Sequence, residues 1–214
     1  MLWPALAWTF AVLIGVVAPV MAMLLIAEAD HASAMGPIVS IGLMGTAMIG
    51  AAAAGRFATG VTLGLAIGAG LLVLAQAVGQ PVLPYLPAAL LSVVAASISF
   101  AARGALFATS IPGKGWLMAL FVVAGEAAIV LTALARPGLL PEWLLALLPA
   151  QWASLAIQSA FAGAGAFAAW AALLALAGTA AATLVVKALW PSRWPYLVMF
   201  TTWLGLSALV YYQS

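Results

Sequence analysis

Charged side chains are so scarce in this chain that most of its surface has to face lipid rather than water. Its 214 residues include six Lys or Arg and four Asp or Glu, so that 5% are charged, whereas 68% are hydrophobic. A soluble protein normally carries charges on about a quarter of its residues. The mean hydropathy of +1.27 points the same way. The sequence therefore predicts an integral membrane protein in contact with the lipid bilayer.

The apolar stretches are long and continuous, which favours helices over a transmembrane barrel. Barrel strands are short segments in which apolar and polar residues alternate, but the runs here are unbroken and rich in Ala, Leu, Gly and Val. A helix satisfies its own backbone hydrogen bonds in lipid. No stretch has the composition of a soluble domain. We therefore expect an all-α, polytopic transmembrane helical bundle that forms a single integral membrane domain over residues 1–214.

Turn residues divide the chain into about seven predicted spans. Prolines and glycines cluster at residues 80–87, 112–115 and 136–138, where a regular helix is interrupted. No Lys or Arg precedes the first run, so we expect a retained helix rather than a cleaved signal peptide. The predicted spans are Trp3–Ala27, Met35–Ala54, Ala58–Val78, Ala88–Ile111, Trp116–Ala135, Ala160–Val186 and Tyr196–Tyr212.

One segment, residues 139–159, fits none of these spans. Pro141 and Pro149 interrupt it, so each apolar portion between the breaks is short. We interpret it as an interfacial or re-entrant segment, with Trp143 and Trp152 at the depth of the lipid headgroups.

The charges predict an orientation. Cytoplasmic loops carry an excess of Lys and Arg. With seven spans, five of the six basic residues fall on one side of the membrane, whereas an eighth span at residues 139–159 would move two of them to the other side. We therefore expect a cytoplasmic N-terminus and a periplasmic C-terminus in a bacterial inner (plasma) membrane. The side with most basic residues holds Arg56, Arg103, Lys114, Lys187 and Arg193. The other side holds Glu28, Asp30, His31, Arg136 and Glu142.

The third predicted span carries a glycine at every fourth position, namely Gly60, Gly64 and Gly68. In lipid, no hydrophobic force draws helices together, and small residues instead permit close backbone contact. The simpler interpretation is tight packing within the bundle. The alternative is that this glycine face binds a second copy of the chain or a membrane-protein partner.

Glu126 is the acidic residue that the sequence places deepest in the membrane. It lies in an unbroken apolar run, roughly 18 Å along the helix from Lys114 and close to the bilayer midplane. An ionised carboxylate there costs at least about 2.5–3.5 kcal/mol, so it must be neutral, paired or open to water. Intramembrane acids commonly serve as proton or cation sites, but a structural hydrogen bond to a neighbouring helix explains Glu126 equally well.

Arg103 is the natural partner of Glu126. The short turn at residues 112–115 makes the fourth and fifth spans antiparallel neighbours, and Arg103 lies about 10–12 Å in from that turn. It either pairs with Glu126 through bidentate hydrogen bonds or extends to the headgroups and contacts lipid phosphate. Its shallow depth favours the second alternative.

Other chemistry has little support. The chain has no cysteine, and its one histidine, His31, excludes a site built from several imidazoles. We find no phosphate-binding loop, no hydrolase motif and no basic patch for nucleic acid. We interpret Glu28 and Asp30, beside His31, as solvated. We expect no cofactor, no metal site and no catalytic residue, and rank an enzyme acting on lipid third.

Two functions remain. The first is a small polytopic membrane transporter or channel, proton- or cation-coupled through Glu126, with Arg103 beside it. The alternative is a non-catalytic membrane subunit or assembly factor of a larger membrane complex, which docks through Gly60, Gly64 and Gly68.

Overall fold

The computed structural model describes residues 2–26, 32–78 and 85–213, and every regular element in those ranges is a helix. The predicted all-α bundle is confirmed. α1 runs continuously through Leu2–Val12, Leu13–Val17 and Ala18–Ile26, and α2 through Ala32–Met44, Gly45–Ile49 and Gly50–Ala54. The remaining helices are α3 (Phe57–Ala77), α4 (Leu86–Ser110), α5 (Gly115–Ala135), α6 (Glu142–Ala146), α7 (Pro149–Phe161), α8 (Gly165–Ala168), α9 (Trp170–Ala188) and α10 (Trp194–Tyr211).

Within the described ranges, six helices are long and apolar enough to cross a membrane, namely α1 to α5 and α9. The seventh predicted span forms as α10, which packs beside α9 but is not among the six. Its 18 residues extend about 27 Å, slightly less than the hydrocarbon core of about 30 Å. Its first turn contains Trp194, Pro195 and Tyr196, which lower its hydropathy. Length and composition alone therefore support six spans, and a seventh through α10 stays a prediction.

The predicted span Ala160–Val186 is wrong at its start. α7 ends at Phe161, and Gly163 follows with a left-handed φ of 72°. Glycine adopts that conformation without steric cost and commonly ends a helix. The Ala-rich composition suggested one continuous helix, but this glycine separates α7 from α9.

The glycine face of α3 lies inside the bundle, between α2 and α4. A methyl group added at Gly60 would lie 2.5 Å from the Ala51 side chain, and one at Gly68 would lie 2.6 Å from Leu43 and Val93. The backbones approach so closely only because these positions have no side chain. Packing within the bundle is therefore the correct interpretation. The face is already covered and is not available to a second copy or a partner.

We expect Gly60→Val to destabilise the bundle by about 1–3 kcal/mol or more, because the new side chain must displace α2 or α4. Gly70→Val is the matched control, since Gly70 is exposed on the same helix and has nothing within 4 Å of the added group. Both substitutions change helix propensity by the same amount, so the difference in stability between the two variants reports the cost of packing the new side chain. Thermal unfolding in detergent measures it, and equal midpoints for the two variants would contradict the packing observed here.

Four of the six basic residues lie together at one end of the bundle, whereas Arg136, at the far end of α5, lies at the other. α3 and α4 run antiparallel, and α9 runs in the same direction as α4. The hydroxyls of Ser99 and Thr179 lie 3.5 Å apart. One turn later in each helix, Arg103 and Thr183 line the same cavity. The residues gathered at this basic end are Arg56, Lys114, Lys187 and Arg193.

α6 and α7 form a hairpin that enters and leaves the bundle by the opposite end. Glu142, at the start of α6, lines one cavity with Gln158 of α7 and with Ser33 at the start of α2. The other end of α7 lies deeper, where the Ser40 hydroxyl of α2 donates to the Ala150 carbonyl at 2.6 Å. Of the two alternatives for residues 139–159, the arrangement is therefore re-entrant.

The two tryptophans of the hairpin have different environments. Trp152 is 0% exposed, and its Nε1 donates to the Ala146 carbonyl at 2.7 Å. The predicted headgroup position of Trp152 is therefore wrong, because its indole is buried inside the bundle and hydrogen-bonds α7 to the end of α6. Trp143 is 57% exposed, and its depth at the headgroups stays a prediction.

Candidate functional site

An ion pair lies at the middle of the bundle. Glu126 occupies the centre of α5 and is buried, with 9% of its surface exposed. Arg103 of α4 donates from Nη1 to Glu126 Oε1 at 3.0 Å. Its side chain is 15% exposed, so the favoured prediction that Arg103 extends to the headgroups is wrong. The pair forms because each group, left alone in these apolar surroundings, would be an uncompensated buried charge.

The second oxygen of Glu126 binds the N-terminus of α7. The Ala150 N–H donates to Glu126 Oε2 at 2.8 Å. α7 begins with Pro149, which has no N–H to satisfy, and no side chain of its own caps it. A helix N-terminus carries a partial positive charge of about half a unit. The carboxylate therefore has a cation on one oxygen and a helix N-terminus on the other.

Sequence reasoning missed this second contact. Pro149 does signal a helix start, because proline is favoured in a first helical turn. What the pattern does not show is that the start lies at the depth of Glu126, since this depends on the hairpin folding back into the bundle.

Three polar contacts hold α7 in place between α2 and α4. The Ser40 hydroxyl bonds its first turn, the Gly36 N–H donates to the Gln158 side chain at 3.1 Å, and the Ser92 hydroxyl donates to the Ala156 carbonyl at 3.1 Å. α7 is flanked along its length by these contacts, so the position of its N-terminus against Glu126 is well determined. This rigid support is what a precise site requires.

Within the described residues, Arg103–Glu126 is the only ion pair. The other described charged residues lie at or near helix ends or in the connections between helices. No group of three or more His, Cys, Asp or Glu that could hold a metal ion occurs in the part of the chain that the structure describes. Residues 28–31, which include the polar cluster Glu28, Asp30 and His31, lie outside the described ranges.

Arg103 uses only part of its hydrogen-bonding capacity. Its Nε and Nη2 atoms are buried and have no hydrogen-bond partner among the described residues. The Phe100 ring lies beneath the guanidinium, with 4.9 Å from Cζ to the ring centroid. Such cation–π contact helps to hold the guanidinium plane, but it satisfies neither free donor.

A cavity of about 360 Å³ adjoins the ion pair. Arg103 and Glu126 form its charged part, and Thr179 and Thr183 supply two hydroxyls. Each hydroxyl donates to a carbonyl one turn back in α9, at 2.7 Å. The rest of the wall is apolar and includes Leu106, Phe107, Val122, Met199, Phe200 and Trp203.

α10 forms one wall of the cavity and is hydrogen-bonded to the hairpin. Trp203 Nε1 donates to the Leu147 carbonyl at 3.1 Å, in the turn between α6 and α7. A movement of the hairpin would therefore alter both the N-terminus of α7 and one wall of the cavity.

The structure thus brings together both residues predicted for the site, and it adds the N-terminus of α7 and a largely apolar cavity. No protein family, no curated protein and no solved structure matches this chain.

Proposed function

We propose that this chain is a small membrane transporter that couples substrate movement to protonation of Glu126. The observation that carries the proposal is the meeting, at the bundle centre, of a buried ion pair, the N-terminus of a re-entrant helix and a cavity. Transporters place their substrate and ion sites where discontinuous helices end near the bilayer midplane. A pair that served only to fix helix register would need no cavity beside it.

A proton suits this site better than a metal cation. Arg103 already occupies Oε1 of Glu126, and the positive end of α7 occupies Oε2. A metal ion would have to bind against both positive groups, which oppose it electrostatically. Protonation instead removes the negative charge that both groups contact. It weakens the contacts of α5 with Arg103 and with α7 together.

Protonation of Glu126 acts on the position of the hairpin formed by α6 and α7. The first turn of α7 contacts Glu126 through Ala150, and the turn between α6 and α7 contacts α10 through Leu147. A local charge change can shift the population of such an element when its two positions bind the proton differently. In this mechanism, α6 and α7 move relative to α5 and α10, and the cavity changes access as they move.

The proposal includes an orientation. We propose seven spans, α1 to α5, α9 and α10, with the N-terminus and the basic end in the cytoplasm and the C-terminus in the periplasm. The clustering of Arg56, Lys114, Lys187 and Arg193 supports it through the excess of basic residues in cytoplasmic loops. An inner (plasma) membrane fits helical spans, whereas bacterial outer membranes house β-barrels.

A non-catalytic subunit or assembly factor is the alternative. In the sequence it was supported by the lack of a soluble domain, the scarcity of polar residues in the spans and the short loops, with the glycine face of α3 as the docking surface. That face is covered by α2 and α4. Transport therefore has the stronger structural support.

Infrared difference spectroscopy in bilayers tests the proposal. We expect a carboxyl band that gains intensity as the pH falls and that is absent from Glu126→Gln. Glu142→Gln is the matched control, because Glu142 is exposed at the start of α6 and its removal leaves the Glu126 band in place. A spectrum in which Glu126→Gln removes no titrating band, over the range where the protein stays folded, would overturn proton coupling and indicate a sealed structural contact.

A further inference from the structure

The free edge of Arg103 is the least explained polar feature of the described residues. Glu126 takes Nη1, whereas Nε and Nη2 are buried without a hydrogen-bond partner. These two nitrogens form one edge of the planar guanidinium, and their parallel N–H bonds match the two oxygens of a carboxylate. Buried donors left unpaired are costly. An acceptor supplied from outside the chain would remove that cost.

The cavity restricts what that acceptor can be. Among the described residues that line it, Arg103 is the only cation, and Glu126 already balances its charge. A single monoanionic group is therefore balanced there when Glu126 is protonated, whereas a dianion is not. Most of the wall is apolar, which suits a hydrocarbon or aromatic body. The volume of about 360 Å³ lies within the range of small-molecule sites.

We infer that this cavity binds a monocarboxylate with an apolar body. On binding, the guanidinium turns its buried Nε–Nη2 edge toward the cavity, the carboxylate accepts from both nitrogens, and the body packs against Val122, Met199 and Phe200. This inference rests on the site of the proposed function and names its substrate class. The same chemistry is found in water-soluble aromatic acids and in fatty acids released from lipid, which differ in the length of the apolar body.

Charge balance links this ligand to the proton. A bound carboxylate would be a second negative charge beside Arg103, and Glu126 is the described group that can take up a proton from water to neutralise it. No other bond changes. Apart from Arg103 of α4, the residues packed around Glu126 supply no charged group, since α7 offers only its backbone N–H and the described parts of α1 and α2 contain no charged residue. One proton therefore accompanies each carboxylate.

The test is equilibrium binding to the purified full chain in lipid nanodiscs. The probes are radiolabelled benzoate and decanoate, with benzamide and benzylamine as uncharged and cationic competitors. We expect binding that neither competitor displaces, weakened about tenfold or more by Arg103→Lys, because an ammonium keeps the charge but loses the bidentate edge.

A second variant keeps the test decisive if Arg103→Lys does not fold. Val122→Phe fills the cavity and leaves both partners of the ion pair unchanged, so we expect it to lose binding as well. Val73→Phe is the matched control, because Val73 is 69% exposed on α3 and the same substitution there leaves binding intact.

Each outcome has one meaning. Binding of benzoate alone supports a water-soluble acid, and binding of decanoate alone supports a lipid-derived acid. Benzamide competing as well as benzoate, or Val122→Phe binding both probes like the unmodified protein, overturns the inference. Absence of binding while the Glu126 band still titrates overturns this inference and leaves the proposed function. Binding without any titration of Glu126 overturns the proposed coupling and leaves the carboxylate site.

Discussion

Replacing Arg103 with methionine is expected to destabilise the folded bundle by about 3–5 kcal/mol, because it leaves the Glu126 carboxylate buried without its cation. Glu126 is 9% exposed, and its remaining partner is the Ala150 N–H at 2.8 Å. One backbone donor does not compensate a full charge in apolar surroundings. Unfolding by steric trapping in bicelles, or thermal unfolding in detergent, measures the loss.

The double variant Arg103→Met with Glu126→Met is the informative companion. It buries neither charge, and replacing a whole buried ion pair with apolar side chains is often neutral or stabilising. We therefore expect it to recover most of the lost stability. Arg56→Met is the control for removing a cation, since Arg56 is exposed between α2 and α3 and its loss changes stability by at most about 0.5 kcal/mol.

The double variant also separates stability from function. A double variant that folds well but no longer binds a carboxylate would show that the pair serves binding rather than stability. If the single and double variants were equally unstable, the penalty would not come from an unpaired charge, and the electrostatic account of this site would be wrong.

Composition and turn residues were sufficient to predict the helical bundle and most helix positions. The turn at residues 112–115 also made α4 and α5 neighbours, which brought Arg103 and Glu126 within reach. Depth alone then favoured the wrong alternative for Arg103. Depth describes the distance to water, whereas the observed contact depends on a nearby carboxylate and on the N-terminus of α7.

Which side of each helix faces inward could not be read from the hydropathy pattern. In a soluble helix, the apolar stripe marks the core, but in lipid both the inside and the outside of a bundle are apolar. Small residues were the usable signal, and they correctly marked the face of α3 at Gly60, Gly64 and Gly68. Trp152 was misplaced for the same reason, because aromatic residues occur both at headgroups and in protein interiors.

Replacing Trp152 with alanine is expected to destabilise the protein by about 3–5 kcal/mol, which is typical of a large buried aromatic side chain. Trp152 has the largest fully buried side chain in the described part of the protein. Its removal opens a cavity between α7 and its neighbours and also deletes the hydrogen bond to the Ala146 carbonyl. Thermal unfolding measures the change.

Trp143→Ala is the matched control, because Trp143 belongs to the same hairpin but is exposed, so we expect a change of at most about 0.5 kcal/mol. Equal losses of stability in the two variants would indicate that Trp152 lies at the membrane surface, as Trp143 is predicted to, and would contradict the re-entrant arrangement. The hairpin also connects stability with the site. Trp152 lies two residues after Ala150, whose N–H contacts Glu126, so loosening it should shift the Glu126 carboxyl band even in molecules that remain folded. A Trp152→Ala protein that melts early yet keeps an unchanged band would show that α7 holds its N-terminus in place without the indole.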